Sequence, residues 1–275
     1  MLVDSHCHLD HLDLDPHGGD LDAALDAARA QGVTGFLCIG ADPAGLPGVL
    51  DLARERPDVW ATAGIHPLAV TGAPEPWETV RAALADPVVV GVGETGLDYF
   101  KDDEAGLADR EAQRESFARH LEAGGAAGLP VVVHTREART DTLALVARHG
   151  DPAHGGVLHC FAEDWATAVA AMDHNYWISI SGIVTFRSAE ALRDVVRRLP
   201  LERLLVETDA PWLSPAPWRG RPNEPARVRR VAECVAEVRG MALEALAEAT
   251  TENFHRAFPR TRQSFAEPNS VSKTR

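Results

Sequence analysis

His6 and His8 stand one residue apart in the opening stretch MLVDSHCHLD. On a β-strand, side chains alternate between faces, so both imidazoles project to one side and Cys7 to the other. Two imidazoles aimed at one point are the beginning of a metal site, and the rest of the chain supplies partners of suitable type. His66 stands in GIHP, Glu94 in GVGETGLDYF, His134 in VVVHTRE, His159 in VLHCF and Asp209 in VETDAP, each at the end of an apolar run. Imidazole and carboxylate together suit zinc, manganese or related divalent ions, whereas calcium requires an all-oxygen shell. His6, His8, Glu94, His134, His159 and Asp209 are more donors than one tetrahedral ion takes, which points to two ions sharing a carboxylate, an arrangement that activates water in hydrolases. Glu94 is the natural bridge, because it lies between the first histidine pair and the later histidines.

Groups so far apart in sequence need a scaffold that brings strand ends together. β-type runs fall at about 2–6, 34–39, 59–65, 88–93, 130–134, 156–160, 176–181 and 203–208. Alanine-, leucine- and arginine-rich segments such as 20–31 and 111–128 lie between them and favour helix, several closed by glycine as at Gly32 and Gly150. Alternating strand and helix predicts βαβ units and a parallel sheet, and eight such units predict a TIM (β/α)8 barrel, whose active site sits at the C-terminal strand ends. The competing architecture is a doubly wound open sheet, but no Gly-x-Gly-x-x-Gly follows an early strand. The barrel is expected to span 1–258 as one domain, with 259–275 a polar, flexible tail.

Composition bounds the function. The 275 residues carry a formal net charge of −14, which argues against coating nucleic acid through a basic face, so any such substrate must be gripped locally. Met-Leu-Val-Asp lacks the basic and apolar regions of a secretory signal, and no apolar run approaches the roughly 18 residues of a membrane span. Cys7, Cys38, Cys160 and Cys234 form no C-x-x-C pair, which fits a reduced, cytoplasmic compartment. Cys7 and Cys160 read as packing residues, Asp4 and Glu207 as structural carboxylates or supports of the ligands, and His149 as a charge at a helix C-terminus.

DSHCHLD at 4–10, GIHP at 64–67, GETGLDYF at 93–100, VVVHTREA at 131–138, HCF at 159–161, VETDAPWLSP at 206–215, RGRPNEP at 219–225 and ENFHRAF at 252–258 resemble, in order, the motifs of the TatD family of metal-dependent deoxyribonucleases. The resemblance implies an amidohydrolase-superfamily barrel with a binuclear centre of magnesium, manganese or zinc. It also implies nuclease activity, often 3′-to-5′, on single-stranded DNA. On the matching positions, His6, His8, Asp209 and Glu94 would hold one ion, and Glu94, His134 and His159 the other. Leu68 after GIHP, and Ala162-Glu163 after HCF, depart from the family's pattern.

Within that reading, Glu94 and Asp209 are the catalytic carboxylates, with Asp209 placed to act as general base. His66 and Arg136 are expected to clamp the phosphate. The loop APWLSPAPWRGRPNEP offers Trp218, Arg219 and Arg221, with Trp212, to stack a base and hold its backbone, unless the tryptophans only cover the barrel rim. The chain is expected to act as a monomer. An ester or amide hydrolase, such as an aminoacyl-tRNA deacylase, would need the same activated water; a non-catalytic metal-binding protein would not need so complete a donor set.

Overall fold

Val, Ile, Leu and Ala fill eight short runs that a parallel sheet can bury on both faces. In a computed structural model, which describes residues 1–70, 76–100 and 110–262, they form β1 (Leu2–Cys7), β2 (Val33–Cys38), β3 (Val59–Ala63), β4 (Val89–Asp98), β5 (Val131–Arg136), β6 (Gly156–Leu158), β7 (Tyr176–Ile180) and β8 (Leu204–Val206). All neighbours pair in parallel, in the order β1 to β8, which excludes a doubly wound sheet. The TIM-barrel fold is therefore the one the strand count predicts. One helix follows each strand and a second follows the last: α1 (Leu21–Ala30), α2 (Leu46–Glu55), α3 (Trp77–Ala83), α4 (Arg110–Ala127), α5 (Arg139–His149), α6 (Trp165–Asp173), α7 (Glu190–Arg198), α8 (Val228–Arg239) and α9 (Leu243–Ala257).

Helix ends follow local chemistry. Asp20 caps α1 by accepting from the Asp22 amide, and Asp164 caps α6 by accepting from the Thr167 amide. Gly32, just beyond α1, takes the left-handed conformation at φ +87, whereas Gly150 closes α5 with an extended backbone. His149 ends α5 and pairs with Glu122, its Nδ1 2.8 Å from Oε1.

The barrel has an apolar end and a polar end. Val3, Leu37, Trp60, Val90, Val132, Val157, Trp177 and Leu205, one from each strand and most of them in its first half, form a buried layer with Phe254, Ala257 and Phe258. Apolar packing of α9 thus closes the N-terminal end, and burial of those rings supplies the larger part of the local stabilisation.

Side chains, more than a ladder, join β8 to β1. Asp4 accepts from the Thr208 amide at 2.8 Å and the Thr208 hydroxyl at 2.6 Å, Ser5 donates to Val206 O at 3.0 Å, and the Asp209 amide donates to His6 O at 2.9 Å. Burial, then the Glu207 charge, pushes the Asp4 carboxyl up to about 8, although the Thr208 hydrogen bonds pull the other way. Pro259–Arg262, in the expected tail, form a 3₁₀ turn from which Arg260 donates to Leu84 O and Val89 O at 3.2 and 2.9 Å. The rest of that tail lies outside the described residues. No helix among them is long and apolar enough to cross a membrane.

Candidate metal centre

Each donor sits at the opening opposite the apolar layer. On β1 the alternation works as expected: His6 and His8 bring their Nε2 atoms to 3.3 Å, while Cys7 turns away and donates to Leu37 O. β4 does not end before Glu94 but continues to Asp98, with an irregular register between Val92 and Thr95. Gly93, at φ +131, supplies that irregularity, and a Cβ there would lie 2.5 Å from Val132 O. Asp209 also takes a left-handed backbone, at φ +57, held by its amide to His6 O and by the Trp212 amide to its own carbonyl.

The Glu94 carboxylate divides the cluster. Its Oε2 lies 3.4 Å from His6 Nε2 and 3.7 Å from His8 Nε2, while Oε1 lies 2.7 Å from His159 Nε2, 3.2 Å from His134 Nδ1 and 3.5 Å from His66 Nε2. Asp209 Oδ1 joins the first group, 3.6 Å from His6 and 3.5 Å from His8. Three sets, His6/His8/Asp209, His6/Glu94/His159 and His66/Glu94/His134, each hold their donor atoms within 4.8 Å of one another. In the first two sets, ring nitrogens and carboxylate oxygens at these separations converge in a buried space, a donor set that a divalent cation satisfies.

Electrostatics agree with that reading. Burial works to raise the Glu94 carboxyl, but His159, His66 and His134 outweigh it and hold it well below the usual carboxylate range. At Asp209, burial is likewise outweighed by the His8 hydrogen bond and the His6 and His159 charges, so the carboxyl is lowered.

Supporting groups lie behind the donors. Asp98 Oδ2 faces His134 Nε2 at 3.1 Å, and Glu207 Oε1 lies 3.4 Å from His159 Nδ1 while accepting from the Cys160 amide at 2.6 Å. Reading the fourth strand as ending at 93 hides Asp98; its place four residues beyond Glu94, on the same strand face, was the available signal. Asn223, in the RGRPNEP stretch, is buried and donates to Thr208 O and Trp212 O at 2.9 and 2.7 Å. It thereby ties down the loop that carries Asp209.

A cavity of about 610 Å³ opens above the donors, lined by His66, Arg136, Leu68, Ile183, Trp212 and Leu213, among others. Trp212 is half exposed and stands edge-on to His8, with ring centroids 4.7 Å apart. Arg136 lies over the Phe100 ring at 3.7 Å. The other loop residues expected at the substrate do not line this cavity. Trp218 packs under Arg227 at 5.2 Å, Arg219 lies over Phe186 at 4.1 Å, and Arg221 is exposed. Arg227, bound to Ser214 Oγ and Pro222 O, folds that stretch away from the opening.

A (β/α)8 barrel with histidines and carboxylates converging at its C-terminal strand ends defines a metal-dependent hydrolase. This chain belongs to the TatD family: the family model described as "TatD related DNase" matches residues 3–259. The chain is 48% identical to the uncharacterized metal-dependent hydrolase YcfH of Escherichia coli K12, over 94% of this chain and 95% of that one. It is 34% identical to a protein of Erwinia tasmaniensis named 3′-5′ ssDNA/RNA exonuclease TatD, over 87% of this chain and 93% of the relative. Among solved structures, YjjV, a TatD homolog from Escherichia coli K12, superposes with a TM-score of 0.85 at 31% identity, covering 94% of this chain and 98% of that one.

Proposed function

We propose that the chain hydrolyses phosphodiester bonds of single-stranded DNA from the 3′ end, with two divalent ions held on either side of Glu94. The observation that carries this reading is the division of the Glu94 carboxylate, one oxygen toward His6 and His8 and the other toward His134 and His159. Asp209 completes the first set. When bound, the ions supply Lewis acidity that brings water's pKa toward neutrality and offsets charge on phosphoryl oxygens. The name of the Erwinia relative supports a nucleic-acid substrate and the 3′-to-5′ direction.

The chain's own groups account for the rest. Asp209, ionised and facing the cavity, accepts the proton that water gives up as its oxygen bonds to phosphorus; the bond from phosphorus to the sugar oxygen breaks, and that oxygen takes up the proton that Asp209 received. Arg136 and His66 contact the phosphate from the cavity wall, and Trp212 offers a face on which a base can stack.

The test is turnover, by one metal-loaded preparation, of a single-stranded oligodeoxynucleotide and of an aminoacyl ester. The expected result is cleavage of the oligonucleotide with little or none of the ester; the reverse preference would assign the site to acyl chemistry.

A further inference from the structure

His66 belongs to one of the three donor sets, yet its hydrogen bonding differs from that of its neighbours. His66 precedes the 3₁₀ turn Pro67–Ala69, and its Nδ1 accepts from the Leu68 amide at 3.1 Å. Pro67 has no N–H, so Leu68 carries the first amide of the turn free to be capped. A ring nitrogen that accepts a hydrogen bond carries a lone pair and no proton, so the proton of this ring sits on Nε2. The residues leading into the turn are anchored twice: the His66 amide donates to Ala41 O at 2.7 Å, and the Ile65 amide donates to Nε2 of buried His120 at 3.1 Å.

His134 is set the opposite way. A carboxylate at 3.1 Å, Asp98, faces His134 Nε2 and draws the proton there, which leaves the Nδ1 lone pair toward Glu94. Glu207 lies 3.4 Å from His159 Nδ1, and His159 Nε2 faces Glu94 at 2.7 Å. The carboxylate behind His134 turns a lone pair inward, while the backbone amide behind His66 turns an N–H inward. His66 Nε2 lies 3.5 Å from Glu94 Oε1 and its ring stands edge-on to His134, so that N–H opens onto the space where substrate meets the donors.

We infer that His66 is a hydrogen-bond donor fixed in its Nε2–H form, that it is not a metal ligand, and that it gives this hydrogen to a phosphoryl oxygen of the substrate. The identity of that acceptor rests on the phosphodiester reading; the fixed tautomer does not. A donor pre-set toward oxygen that gains charge in the transition state stabilises it without reorganisation.

The test is a long-range 1H–15N correlation of the histidine side chains in 15N-labelled protein, metal-free and metal-loaded, with the His66 signals assigned by their loss in His66→Gln. Expected are a protonated Nε2 and an unprotonated Nδ1 in both states. A protonated Nδ1, or an Nε2 that loses its proton when metal is added, would overturn the inference. Elemental analysis gives the second readout: His66→Gln should hold as many ions per chain as the parent protein while its kcat on oligonucleotide falls roughly 100-fold. Loss of bound metal in that variant would make His66 a ligand. Should the parent protein cleave no oligonucleotide, the substrate reading fails while the tautomer result stands by itself.

Discussion

At the scale of single residues, function here depends on which ring nitrogen faces which partner. Asp98 is the clearest case, since it fixes the orientation and protonation of His134 from 3.1 Å behind it. Supports of this kind contribute about 10- to 100-fold to metal affinity. Asp98→Asn is therefore expected to weaken binding of one ion by that factor while the His6/His8/Asp209 set keeps its affinity. Titration of the metal-free variant with a coloured divalent ion such as cobalt would show one weakened step; two unchanged steps would remove Asp98 from the account. The convergence of His6, His8, Glu94, His134, His159 and Asp209 was legible in the sequence because each is a ligand type at the end of an apolar run. Asp98 and Asn223 were not, because one depends on where β4 ends and the other on a loop fold that no local pattern encodes. Trp218, Arg219 and Arg221 read as substrate contacts from their types alone, but Arg227 draws their loop away from the cavity.

At the scale of elements, the same logic explains how the donor strands are held. β1 and β8 carry His6, His8 and Asp209, and the Asp4–Thr208 pair joins them in a fully buried setting. Thr208→Val removes the hydroxyl that donates to Asp4 and leaves a buried carboxyl oxygen short of a partner, a loss of about 1–3 kcal/mol. Urea unfolding should report a lower midpoint of that size, and an unchanged midpoint would show the seam to be held by β1 and β8 backbone alone. α4 makes a comparable join through His120, which donates from Nδ1 to Ser116 O and accepts at Nε2 from the Ile65 amide. Burial pushes this histidine down to about 4, so between pH 6.5 and 4 the unfolded chain binds a proton that the folded chain refuses. Its contribution is thus intact above about pH 6.5 and is lost as pH falls to about 4, some 3 kcal/mol in all at about 1.4 kcal/mol per pH unit. His120→Gln should flatten that part of the stability profile, measured by denaturant unfolding at several pH values; parallel profiles for the two proteins would contradict the assignment.

At the scale of the whole molecule, the fold separates stability from chemistry. The apolar layer closed by α9 occupies the starts of the strands, and the polar donors occupy their ends. Strand count and alternation made that architecture legible, since eight apolar runs separated by helical segments admit few parallel arrangements. The extent of β4 was not legible, because the apolar run stops at 93 and only pairing with β5 carries the strand on to Asp98. The net charge of −14 is compatible with a polyanionic substrate only if binding is local, and the cavity confines it to a few side chains beside the metal donors. The central claim is that this cavity cleaves nucleic-acid phosphodiesters with metal held about Glu94. Its most direct test is degradation of an end-labelled single-stranded oligodeoxynucleotide with magnesium, manganese or zinc, beside Glu94→Ala and EDTA controls. A metal-dependent ladder shortening from the 3′ end, lost in the variant and with EDTA, is the predicted result; no cleavage with any ion by protein shown to bind metal would contradict it.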